Sequence, residues 1–81
     1  MDLKDCRREI DRIDKEMTRL FAERMDISAQ VAEYKKERGL PILDAKRERE
    51  KLAEIADALP DEIAEYGTAL YSLILELSRS R

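Results

Sequence analysis

Three observations predict an all-α fold. Apolar residues recur in alternating steps of three and four at Leu3, Cys6, Ile10, Ile13, Met17, Leu20, Ile27, Val31 and Tyr34, the period of a helix that buries one stripe. Gly39 with Pro41, and Pro60 with Asp61, divide the chain into three segments, because Gly ends helices and Pro cannot continue them. Finally, 43% of the 81 residues are charged and only two are Gly and two Pro, a composition that suits water-facing helices.

The first helix is expected over about residues 3–37, without an internal breaker. At 1.5 Å per residue it reaches roughly 50 Å, whereas a compact domain of this size is only about 30 Å across. The rest of the chain is too short to cover such a rod. A second copy is long enough, so the sequence predicts an intertwined homodimer in which the long first helices pack together.

A second helix is expected over about 44–58, where Asp44 is placed to cap the first turn and Leu52, Ile55, Ala56 and Leu59 form a narrow apolar face. After the break at Pro60, Ile63, Gly67, Leu70, Ile74 and Leu77 predict a third helix over about 61–79. Gly67 costs about 1 kcal/mol relative to Ala in mid-helix and marks either a close helix approach or a local kink. The three helices make residues 1–81 one helical domain.

Composition narrows the function. Sixteen basic against 19 acidic residues leave a net charge of −3, which argues against nucleic acid as a partner, since phosphate binding needs clustered uncompensated cations. The only Cys, Cys6, lies on the apolar stripe and has no mate for a disulfide, in keeping with a cytoplasmic protein. The charged amino terminus is not a signal peptide. The most apolar stretch, Ala69 to Leu77, is interrupted by Ser72 and Glu76 and is too short for a membrane span. There is no His, Cys6 has no base to activate it, and no acidic cluster has metal-ligand spacing. What remains is catalysis by positioning and fixed charge, with no metal and no cofactor.

Arg24 occupies the one slot of the first stripe where an apolar residue belongs. A guanidinium withdrawn from water needs a counter-charge, supplied either by an internal carboxylate or by a bound acid. Lys35 lies eleven residues on, close to three turns, so both cations share a face with about 16 Å between their backbones. The bland alternative pairs them with Glu23, Glu33 or Glu37. Arg7 is about 25 Å from Arg24 along the same helix and meets it only across an antiparallel dimer; otherwise it is a solvated charge beside Arg8 and Glu9. The chain turns back after Lys35, bringing Asp44, Arg47 and Glu48 to the same pocket mouth. Asp44 and Glu48 are also explained as helix-start acids, whereas Arg47 opposes the helix dipole there and welcomes an anion. Ser78 falls on the inward side of the third helix, as a small polar residue at a packing edge or as part of the site.

The ordered set Arg7-Arg8-Glu9-Ile10-Asp11, Ile13-Asp14, Ala22-Glu23-Arg24-Met25, Lys35, Pro41-Ile42-Leu43-Asp44, Arg47-Glu48-Arg49 and Ser78 resembles the all-helical chorismate mutase family over nearly the whole chain. That resemblance implies an intertwined dimer of three-helix chains with two equivalent sites. It implies the pericyclic rearrangement of chorismate to prephenate, in aromatic amino-acid biosynthesis, without a cofactor. Arg24 and the second chain's Arg7 would hold the substrate's carboxylates with Arg47 and Ser78 assisting. Lys35 would meet the ether oxygen, and Glu48 with the backbone near Asp44 the ring hydroxyl. The family places a Gln or Glu four residues after the Ser, which here is one residue past Arg81, so the resemblance suggests a longer parent fused to another aromatic-pathway enzyme, a substitute such as Arg81, or impaired turnover. An isochorismate-pyruvate lyase of the same fold, and a non-catalytic ligand-binding or dimerisation module, are the alternatives.

Overall fold

The computed structural model describes all residues, 1–81, as three helices: α1 (Leu3–Glu37), α2 (Ala45–Ala58) and α3 (Asp61–Arg79). These bounds coincide with the segments the periodicity and breakers predict. Asp2 caps α1 by accepting from the Asp5 N–H at 2.8 Å. Along its exposed face Arg19 bridges Glu16 and Glu23, and its hydrogen bond holds the Glu16 carboxyl below the ordinary value.

The end of α1 shows how local chemistry sets the site. Gly39 takes a positive φ of 65°, its N–H bonds to the Lys36 carbonyl at 3.3 Å, and the Leu40 N–H reaches back to the Lys35 carbonyl at 2.8 Å. These are the two bonds of a Schellman motif. They stop the helix one turn after Lys35 and send the chain back toward α2. An Ala at position 39 would have to adopt a left-handed conformation, which costs roughly 1–2 kcal/mol. Gly39→Ala is therefore expected to lower stability by about 1 kcal/mol, measurable by urea unfolding, and an unchanged midpoint would contradict this role for the turn.

Asp44 accepts from the Arg47 N–H at 3.0 Å and starts α2. Leu59 is extended (φ −111°, ψ 151°), as a residue before Pro must be, so α2 ends there. Pro60 opens α3, whose first turn carries Asp61 and Glu62 where the helix dipole favours acids. Here α2 packs against α3, and α3 touches α1 more sparingly. Gly67 sits where α2 and α3 approach, since a Cβ there would overlap the Leu59 side chain and lie 3.7 Å from Ile55. Close approach, not a kink, accounts for the glycine.

The molecule measures 54 × 25 × 15 Å with a radius of gyration of 15.8 Å, against about 12 Å for a compact chain of this length. Its accessible surface is 6807 Å², where a compact protein of this mass exposes about 5,000 Å². No residue is buried. Ile10, Ile13, Met17, Leu20, Ile27 and Val31 stand exposed along one side of α1. A single chain leaves that stripe uncovered, as the length of α1 against the rest of the chain predicts. No helix is long and apolar enough to cross a membrane.

Candidate functional site

A cleft of about 390 Å³ opens where the C-terminal half of α1, the start of α2 and the end of α3 converge, within the size range of small-molecule sites. Six of the seven residues singled out from sequence line it: Arg24, Lys35, Asp44, Arg47, Glu48 and Ser78. Arg7 does not. It is exposed near the other end of α1, as its distance along the helix requires.

Each side chain is placed by an identifiable element. Arg24 is half-buried, and its Nη1 donates to Ser78 Oγ at 2.7 Å. Ser78 Oγ in turn donates to the Ile74 carbonyl at 2.7 Å, one turn back in α3. The hydroxyl thus anchors the guanidinium to α3 without neutralising it. Lys35 Nζ donates to the Ile42 carbonyl at 3.1 Å, across the turn that Gly39 permits. Asp44 spends one carboxylate oxygen on its cap and lines the cleft.

Neither the internal carboxylate considered for Arg24 nor the surface pairings considered for Lys35 are found. Arg24, Lys35 and Arg47 all lack a carboxylate within 4.0 Å, while Glu23 is engaged by Arg19 and Glu37 by Arg38. Two cations not singled out from sequence complete the wall. Lys51 lies one turn beyond Glu48 with its Nζ 3.2 Å from Glu54, and Arg79 donates to Glu48 Oε1 from α3. Arg81, the substitute considered for a donor past Ser78, turns toward Asp26 at 3.9 Å instead and is not part of the cleft.

The lining carries five cations (Arg24, Lys35, Arg47, Lys51, Arg79) against two acids (Asp44, Glu48), on a chain whose overall charge is −3. A concave region with the opposite sign to the rest of the molecule concentrates anions. The apolar contribution comes from Ile27, Val31, Ala32, Ile42 and Leu75, so the cleft suits a small anion with a hydrophobic body and a polar group for Glu48.

Comparison with known proteins agrees with this chemistry. The chorismate mutase type II family matches residues 6–81. The T-protein of Haemophilus influenzae is 38% identical over 80 residues, covering 86% of this chain and 21% of that protein. The bifunctional chorismate mutase/prephenate dehydratase of Aquifex aeolicus is 44% identical over 54 residues, or 67% of this chain and 15% of that protein. The chorismate mutase of Methanocaldococcus jannaschii is 43% identical over 47 residues, 58% of this chain and 48% of that protein. The chain thus spans less than half the length of each of these relatives. No solved structure gives a significant match.

Proposed function

The chain belongs to the chorismate mutase type II family, and from that premise we propose that it binds chorismate and rearranges it to prephenate, working as a homodimer. The observation that carries this reading is the set of cations without carboxylate partners, Arg24, Lys35 and Arg47, lining one partly apolar cleft. A dicarboxylate with a ring satisfies all of it.

In the reaction one carbon–oxygen bond breaks and one carbon–carbon bond forms within a single molecule, with no proton, nucleophile or co-reactant required. The enzyme's work is to restrict the substrate and to stabilise charge. Arg24, steadied by Ser78, takes one carboxylate, and Arg47 assists at the mouth. Arg7 of a second chain takes the other, which folds the enolpyruvyl arm over the ring. Lys35 meets the ether oxygen as negative charge grows on it. Glu48 and the main chain beside Asp44 take the ring hydroxyl.

Dimerisation is supported by the uncovered stripe of α1 and by the position of Arg7, remote from the cleft on its own chain. An antiparallel pairing of α1 helices brings one protomer's Arg7 toward its partner's Arg24. The assay is loss of chorismate absorbance by the purified chain, with pyruvate measured in parallel. Pyruvate release from isochorismate, supplied in a second assay, would point to the lyase, and saturable binding without conversion to a non-catalytic module.

Complementation tests the shared site. Arg7→Ala and Lys35→Ala proteins are each expected to be nearly inactive. After mixing, unfolding and refolding, half the dimers are hybrids with one intact site, so activity is expected to return to about a quarter of wild type, from two-fold symmetry. No recovery from a mixture that has exchanged subunits would mean that Arg7 does not act across an interface.

A further inference from the structure

We propose that Arg79 is a positioning residue for Glu48, holding the carboxylate that receives the substrate's ring hydroxyl; this rests on the mutase reading above. Arg79 and Glu48 are 31 residues apart and come from different helices. Their side chains are 34% and 22% exposed, whereas the other pair between distant parts of the chain, Arg81 with Asp26, is 43% and 77% exposed. The Glu48 pair is therefore the better shielded of the two and restrains both side chains more tightly.

The geometry leaves room for substrate. Arg79 Nη1 donates to Oε1 of Glu48, and Oε2 has no hydrogen-bond partner. A carboxylate has about four acceptor sites, so an arginine on one oxygen fixes the plane of the group while the other oxygen stays open to a hydroxyl. No other cation within 4.0 Å performs this task, since Lys51 pairs with Glu54. The start of α2 favours an acid and the end of α3 favours a base, and Glu48 and Arg79 are the residues that supply them. Packing α2 antiparallel on α3 lets the two charges satisfy their helix dipoles and each other at the rim of the cleft.

The ring hydroxyl is not a reacting atom, so its hydrogen bond is similar in the ground state and the transition state. Loss of an interaction of that kind raises KM more than it lowers kcat. In the full chain, Arg79→Ala is expected to raise KM for chorismate roughly tenfold with little change in kcat, and Arg79→Lys to recover most of it. In a Glu48→Gln background, Arg79→Ala is expected to add nothing, because the carboxylate to be positioned is gone. Circular dichroism and thermal melts accompany each variant. Should Arg79→Ala unfold, Arg79→Met keeps the aliphatic stem and replaces it in the same comparison.

A folded Arg79→Ala or Arg79→Met protein with wild-type kcat/KM overturns the proposal. So does a Lys variant no better than the neutral one, or a double variant whose losses multiply. These outcomes occur in an active wild type and leave the mutase reading intact. A wild-type chain that binds but does not convert chorismate removes that reading, and the positioning role for this reaction with it.

Discussion

Lys35→Ala is expected to lower kcat by roughly 10²- to 10³-fold, the scale on which an enzyme loses one donor aimed at developing charge. The ether oxygen is only weakly charged in bound chorismate and becomes more negative as its bond to the ring stretches. In the proposed reaction the ammonium would therefore interact most strongly with the transition state, and KM should change much less than kcat. The structure keeps that charge available. Lys35 Nζ is satisfied by a neutral carbonyl, that of Ile42, and not by an acid that would have to be displaced. Its own carbonyl closes the Schellman turn through Leu40, so the residue's main chain holds the turn whatever the side chain is. Stability should consequently fall by no more than the 0.3–1 kcal/mol typical of a cation in a last helical turn, with Lys36 remaining in that turn. Lys35→Arg is not a safe replacement, because a planar fork cannot occupy the position of a compact ammonium. A folded Lys35→Ala protein with wild-type kcat would remove this residue from the mechanism.

Much of the architecture was legible because its determinants are local. Gly39, Asp44 and the Leu59-Pro60 pair act within one or two residues of where they stand, through positive φ, a side-chain cap and an enforced extended residue. The breaks between the three helices could be placed from them. The α1 face of the site was legible as well, since helical spacing places Arg24 and Lys35 on one side whatever packs there. Arg79 and Lys51 were not, because their part in the cleft depends on how α3 crosses α2. At that crossing Leu59 meets Gly67, a contact between helices that periodicity does not specify. Each of those cations also has a sufficient local explanation, Arg79 as a base ending a helix and Lys51 as the partner of Glu54. A heptad stripe reports that a face is to be covered, and the face of α1 that the single chain leaves open is the one its length assigned to a second copy.

Arg24→Leu separates binding from packing, since the two roles predict opposite results. Arg24 interrupts an otherwise apolar stripe, and its guanidinium is held by a serine hydroxyl and not by a carboxylate. If that slot served only helix association, Leu would be the better occupant. Withdrawing a cation from water without a counter-charge costs stability, so a hydrophobe in its place is expected to be neutral or stabilising. The variant is thus expected to unfold at the same or higher urea concentration than wild type. Ser78 retains its bond to the Ile74 carbonyl and is not left without a partner. Catalysis should move the other way, because an arginine fork on a carboxylate supplies both charge and orientation. The expected loss in kcat/KM is about 10²-fold or more, the scale of misplacing a substrate that must be held in one conformer. Isothermal titration with chorismate should show the same weakening of binding in the stabilised protein. A variant that is more stable and equally active would mean that the cation at position 24 never meets the substrate. One that is active but unfolds more easily would assign Arg24 to the scaffold. Stability retained or raised together with lost turnover is the combination that only a binding role produces.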